Sequence, residues 1–231
     1  MKMLVIGSCT GDKNIRDCPG LLTQADFDDP SLFRRWEAEL SAWALPAREL
    51  YVGWQHRYMM NGVDAIRHRF GESACTVKII SAGYGLVDEE QPLVPYEATF
   101  RSKPPKWIQQ RSETLGIPRA VRKAVIGHDL VLFLLGKEYL SSIHPPLSPE
   151  VNQRFIFFTS KVELPFHPNS TLVPAGRKET RFGAGFMSLK GKMVERLASG
   201  LCGAPEMWDK LVSDSTSETV LALIEAGQRN P

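Results

Sequence analysis

The chain has 231 residues, 43% hydrophobic and 23% charged, with a formal net charge of +2. That balance suits an ordinary globular protein and excludes one that binds polyanions by bulk attraction, so any nucleic-acid contact must come from a local basic patch. Cys9, Cys18, Cys75 and Cys202 are scattered and form no C-x-x-C pair, which argues against a zinc framework or a disulfide scaffold.

Taken in chain order, Met3-Leu4-Val5-Ile6 is a short apolar run that breaks at Gly7-Ser8-Cys9-Thr10-Gly11-Asp12-Lys13. It reads as a buried strand over 2–8 whose carboxyl end carries hydroxyls, a thiol, a carboxylate and an ammonium. Met1-Lys2-Met3-Leu4 runs straight into this strand and leaves no room for a signal peptide. No apolar run reaches the roughly 18 residues of a membrane span. The expectation is a cytoplasmic, monomeric protein of one domain over 1–231, with no membrane partner, metal or cofactor.

Residues 10–30, rich in Gly, Pro and Asp, read as a long loop. Asp28-Asp29-Pro30-Ser31 then starts a helix, with Leu32, Trp36, Leu40 and Trp43 as its apolar stripe. A second helix covers about 54–70. Thr76–Ser81 is the second strand, ending in Ala82-Gly83-Tyr84-Gly85-Leu86 and an acidic loop, Asp88-Glu89-Glu90. Helices follow at about 105–114 and 118–126. The third strand, Leu130–Leu135, is apolar on both faces, as central parallel strands are. It ends at Gly136-Lys137. The fourth strand is Phe155–Thr159, and Thr171-Leu172-Val173 is a candidate short fifth. A glycine-rich basic segment spans 176–192, and two amphipathic helices at about 187–200 and 205–227 close the chain. Strands alternating with helices predict an α/β fold, a three-layer sandwich with a central, mainly parallel four-stranded sheet flanked by helices.

In open α/β sheets ligands bind at the carboxyl ends of the strands. Ser8, Cys9, Thr10 and Lys13 are therefore candidate contacts to a base or a phosphate. Neither a P-loop nor a dinucleotide fingerprint is present. Cys9 also reads as a small buried hydrophobe, since no local base would activate its thiol. Ser81, Tyr84, Gly85, Tyr96 and Glu97 are further substrate-binding candidates. Glycines on both sides of Tyr84 allow sharp turns and leave an aromatic face for a base. Asp12 and Asp88 are rival candidates for a catalytic carboxylate. His144 and His167 each precede proline in a loop, and neither belongs to a His/Cys cluster of the kind that binds metal. Lys137, Arg177, Lys178 and Arg181 are candidate DNA contacts. In the basic segment over 176–192, Phe182 and Phe186 interleave with the cations, a mix suited to phosphates and stacked bases.

Four segments together resemble a bacterial and phage family related to the lyase-like domain of archaeal tRNA-guanine-modifying enzymes. They are Ser8-Cys9-Thr10 with Lys13, Pro46-Ala47-Arg48-Glu49-Leu50-Tyr51, Ser81-Ala82-Gly83-Tyr84-Gly85-Leu86 and Pro95-Tyr96-Glu97. That group is similar to the uracil-DNA-glycosylase-like superfamily. The resemblance covers about residues 1–175 and implies a four-stranded parallel sheet, a base-flipping pocket at the strand ends and hydrolysis of an N-glycosidic bond. It implies a catalytic carboxylate just after the first strand, where Asp12 stands in place of the superfamily's Gly-Gln-Asp-Pro-Tyr. It also implies a His-Pro-Ser loop after the fourth strand. His167-Pro168-Asn169-Ser170 fits that loop by position with one residue inserted; Ile143-His144-Pro145-Pro146-Leu147-Ser148 is closer in letters but precedes the strand. The function so implied is a DNA glycosylase acting on double-stranded DNA with modified bases. Glucosylated hydroxymethylcytosine in phage DNA is the most specific candidate, and anti-phage defence the role. A hydrolase of free nucleosides or nucleotides and a non-catalytic nucleic-acid-binding module are the competing readings.

Overall fold

A computed structural model describes residues 2–15, 17–159, 165–214 and 216–229. β1 (Met3–Ser8) leads into an excursion holding β2 (Leu22–Thr23), α1 (Gln24–Asp28), α2 (Pro30–Glu39), β3 (Leu45–Pro46) and α3 (Ala47–Leu50). α4 (Trp54–Phe70) returns to β4 (Cys75–Ser81), which reverses into β5 (Gly85–Asp88). β6 (Pro92–Leu93) and β7 (Tyr96–Glu97) precede α5 (Pro105–Thr114) and α6 (Ile117–Ala124). β8 (Leu130–Phe133), α7 (Lys137–Ser141), β9 (Arg154–Thr159) and β10 (Ser170–Pro174) follow, then α8 (Leu189–Gly203), α9 (Met207–Asp214) and α10 (Ser217–Arg229).

Met3, Leu4, Val5 and Ile6 are all buried, because β1 has a parallel neighbour on each side and helices above and below. Met3 stands opposite both Cys75 of β4 and Leu130 of β8. The sheet has six strands in the order β10-β9-β8-β1-β4-β5. This corrects the expected four parallel strands. β10 adds a fifth parallel strand beside β9, and β5 pairs antiparallel with β4 from Ser81–Gly85 to Lys78–Asp88. Residues 85–88 are too few, and too close to glycine, to read as a strand. Gly85 makes the reversal possible with φ +80°, a conformation that costs glycine little.

The chain moves from β1 to β4 on one side, then crosses back to lay β8, β9 and β10 on the other. The carboxyl ends of β1 and β8 therefore diverge at a topological switch point, where doubly wound sheets hold their ligands. α8 packs against both α4 and α10, and α6 lies against β5. α4 and α8 run in the same direction, with Gly191 beside Gln55 and Gly62 beside Glu195. A Cβ on Gly191 would stand 2.1 Å from the Gln55 carbonyl oxygen, so this approach needs glycine. Both helices consequently start at the carboxyl edge of the sheet.

Two further expectations are corrected. The loop over 10–30 contains α1, at whose start Thr23 N and Oγ1 both donate to the Asp26 carboxylate at 2.7 Å. The single closing helix over 205–227 is divided into α9 and α10, because the Thr216 hydroxyl accepts from Thr219 N at 3.1 Å and caps a new helix. Among the described residues no helix is long and apolar enough to cross a membrane.

The acidic loop is tied down by cations from α3, α4 and β4. Asp88 is ion-paired with Lys78, and Glu90 lies 3.2 Å from Arg48. Glu89 is buried, pairs with Arg67 and lies 3.5 Å from Arg48.

His56 is buried on α4 with Nε2 3.1 Å from the Arg48 carbonyl, and burial pushes its pKa from 6.5 down to about 4. The unfolded chain gains that proton below about pH 6.5, while the folded chain stays neutral until about 4. Stability present above the upper value is therefore lost as pH falls through this window, by about 3 kcal/mol in full. Urea unfolding between pH 7 and 4 should show a shallower loss for His56→Gln than for the parent; identical slopes would contradict this.

Candidate functional site

β1 delivers Ser8, Cys9 and Thr10 to the switch point. Cys9 N donates to the Ile80 carbonyl at 2.9 Å and continues the pairing with β4. The buried Cys9 Sγ lies 3.0 Å from Tyr139 OH of α7. The thiol thus bridges the segments leaving β1 and β8. Tyr139 OH is also 3.5 Å from Thr99 Oγ1, and burial pushes its phenol well above the usual range.

The starts of α4 and α8 complete this edge. Gly53 sits against Thr10, where a Cβ would come within 2.8 Å of the threonine Cβ. Gln55 Nε2 donates to the Leu134 carbonyl at 3.3 Å, and Lys190 Nζ donates to the Leu135 carbonyl. Burial lowers the Lys190 pKa to about 8, with Glu138 opposing the shift.

Lys13 is held by backbone pairing rather than by its own charge. Asn14 N donates to Leu50 O at 2.8 Å, and Val52 N to Asp12 O at 3.1 Å. Thr10 Oγ1 adds a bond to Asp12 O at 2.7 Å. The Lys13 ammonium consequently stands 4.5 Å above the centre of the Tyr96 ring. Burial lowers its pKa, against the opposing influence of Cys9, Glu97 and Asp12 nearby. Asp12 and Glu97 are exposed.

Tyr96 is buried, and its hydroxyl lies 2.7 Å from both Tyr51 OH and Ser81 Oγ. Ser81 Oγ also accepts from Gly83 N at 3.1 Å and Tyr84 N at 3.0 Å. Tyr84 packs edge-on against Phe27, Phe33 and Tyr96, with ring centres 5.0, 5.8 and 5.4 Å away. Ser81, Tyr84, Gly85 and Tyr96 therefore form the turn and the wall behind Lys13. This corrects the reading of Tyr84 and Tyr96 as open stacking surfaces. Exposed aromatics on this edge include Trp54, at the start of α4, and Phe186, which with exposed Met187 precedes α8.

Two candidate catalytic residues lie elsewhere. Asp88 sits beside Lys78, three residues back from the end of β4, in the edge ion pair described above. His167 is at the opposite, amino edge of the sheet. Its Nδ1 accepts from Asn169 N at 3.1 Å, and the Asn169 carbonyl accepts from Arg154, the first residue of β9, at 3.0 Å. Because β10 runs parallel to β9, a residue just before β10 stands at the amino edge, so the motif's place after the fourth strand does not give its edge. His144 is also committed, with Nε2 3.0 Å from Ser112 Oγ on α5.

The cation candidates divide similarly. Lys137 starts α7, just past the end of β8, and Arg177 and Lys178 follow β10, so all three are at the carboxyl edge and exposed. Arg181 instead turns to Glu225 of α10 at 2.8 Å and stacks over Phe182 at 4.8 Å. Sequence reasoning counted Lys190 only as a cation of the basic segment over 176–192, and missed Gln55, Trp54 and Tyr139. Lys190 alone carried a signal: it shares the apolar stripe of Met193, Val194 and Leu197 at helical spacing. Among the described residues, no group of three His, Cys, Asp or Glu side chains is placed to hold a metal ion.

Compared with models of known protein families and with curated proteins, the chain matches none.

Tyr96→Phe removes a hydroxyl shared by two buried partners and should cost about 1–3 kcal/mol in urea unfolding. Asp88→Asn breaks only an exposed pair and should cost under about 1 kcal/mol. Equal losses in the two variants would contradict this account of the wall.

Proposed function

We propose that the protein is a DNA glycosylase that hydrolyses the N-glycosidic bond of a flipped, modified base and leaves an abasic site. The observation that carries the reading is the group at the switch point: Lys13 over Tyr96, with Asp12, Glu97 and Cys9 around it. Breaking a nucleoside C–N bond builds positive charge on the sugar and negative charge on the departing base. A carboxylate stabilises the first, and a cation the second, most strongly in a site partly closed to water. In this reading Asp12 faces the sugar and orients the attacking water. Lys13 faces the base as the cation that stabilises its leaving charge.

The surroundings support a polymeric substrate. Lys137, Arg177 and Lys178 supply positive charge along the same edge as the carboxylates. Trp54 and Phe186 are exposed there and offer π-faces to a base taken out of the stack. The resemblance to the uracil-DNA-glycosylase-like superfamily narrows the proposal to modified phage DNA, with glucosylated hydroxymethylcytosine as the first base to test and anti-phage defence as the role.

Incubation with T-even-type phage DNA and with unmodified DNA, followed by alkali, should break only the modified DNA. Asp12→Asn should lower base removal by about 100-fold. Absence of abasic sites in every DNA tested would end the proposal.

Replacing Arg177 and Lys178 together by alanine should weaken binding to all duplexes alike and reduce the salt slope of log affinity by about two. An unchanged slope would place the DNA path elsewhere.

A further inference from the structure

Lys13 differs from an ordinary phosphate-binding lysine. Its ammonium is half-buried and rests on the face of Tyr96. Among the described residues it forms no ion pair or hydrogen bond. Two carboxylates, Asp12 and Glu97, and the Cys9 thiol are its charged or ionisable neighbours. The two carboxylates can accept protons beside the amine, while their charge, unlike burial, favours the ammonium form. Burial lowers the Lys13 pKa, which favours the neutral amine that attacks carbonyl carbon. Lys190, the other buried lysine of this edge, is engaged with the Leu135 carbonyl. The loop holding Lys13 is fixed on both sides by the bonds to Leu50 and Val52, so the amine is presented in one place.

We propose that Lys13 gives this site a second activity, the cleavage of DNA at abasic deoxyribose through an imine between its amine and the sugar. The proposal deepens the glycosylase reading, which supplies the abasic sugar at the same site. In that sequence the Lys13 ammonium gives a proton to the departing base and becomes a neutral amine. Its lone pair attacks C1′ of the ring-opened aldehyde. The carbonyl oxygen takes up protons and leaves as water, so that a protonated imine joins Nζ to C1′. Glu97 removes a proton from C2′. The C–H electron pair forms the C1′–C2′ double bond while the imine electrons move to nitrogen. The nitrogen pair then re-forms the C1′–N imine, the C1′–C2′ pair becomes the C2′–C3′ double bond, and the 3′ phosphate leaves with the electron pair of its C–O bond. Water then hydrolyses the imine, releasing an unsaturated aldehyde and restoring the amine. No electron donor or acceptor is required.

The test uses the whole protein and a synthetic duplex with one preformed abasic site, so it does not depend on which base is removed. Borohydride added during incubation should reduce the imine and leave a covalent protein–DNA adduct, which peptide mass spectrometry should map to Lys13. Lys13→Arg should lose both adduct and strand cleavage, while Lys123→Arg, at an exposed position of α6, should retain them. No adduct with the parent protein, an adduct mapped to another residue, or undiminished trapping by Lys13→Arg overturns the proposal. Mapping in the parent protein decides the matter even if Lys13→Arg folds poorly. Base loss from phage DNA without an adduct overturns this proposal and leaves the glycosylase reading standing. An adduct on the abasic duplex with no base loss from any DNA does the reverse.

Discussion

The carboxyl edge depends on how the backbone leaves β1. A strand buried on both faces must release its chain at its end, and this chain turns into residues 9–14 without a helix to follow directly. Unpaired, that segment would expose its peptide groups and leave its side chains unfixed. It is instead paired on two sides. Cys9 N bonds to the Ile80 carbonyl, and residues 12–14 bond to 50–52. The second pairing is antiparallel and brings Lys13 opposite Tyr51. Tyr51 then reaches Tyr96 through its hydroxyl, so the strand that holds the Lys13 backbone also holds the ring beneath its ammonium.

The buried hydroxyls need one another. Tyr51, Tyr96 and Ser81 are each almost wholly buried, and a hydroxyl removed from water without a partner costs several kcal/mol on the order of a lost hydrogen bond and more. Ser81 satisfies Tyr96 on one side and the backbone of Gly83 and Tyr84 on the other. The turn between β4 and β5, the wall behind Lys13 and the pairing of the β1 exit therefore form one connected polar system in an apolar setting. Such systems are rigid when every member is satisfied. Ser81 and Tyr96, candidate substrate contacts in the sequence, are therefore part of the buried support behind Lys13.

Particular residues show what was legible. The strands 130–133 and 154–159 and the helices 54–70 and 105–114 follow from apolar runs and helical spacing, which report burial directly. β5 was not legible, because four residues after a glycine carry too little pattern. Cys9, Lys13 and Asp12 could be found because a polar break after an apolar strand marks a strand end. Tyr84 between its glycines could be seen as an aromatic in a turn, but nothing local shows that Phe27 and Phe33 cover it. His167 could be matched to a motif, while its edge depends on where a crossing loop has reached. Lys190 meets β8 from 55 positions away, and only packing of α8 on α4 brings it there.

The opposite fates of the acidic residues follow from the same packing. Glu89 is neutralised by guanidinium groups from α3 and α4, and Asp88 by Lys78. The Glu89 pairs tie α3 and α4 to the acidic loop, and the Asp88 pair joins β5 to β4. Asp12 and Glu97 belong to segments that run along the carboxyl edge, where the nearest cation is Lys13 and it is held on an aromatic face instead of in an ion pair. An ammonium kept from full pairing is weaker as an anchor and stronger as a proton donor, and once it has given up its proton it is a nucleophile. The backbone pairing at 50–52 makes this possible, since it fixes Lys13 without using its charge.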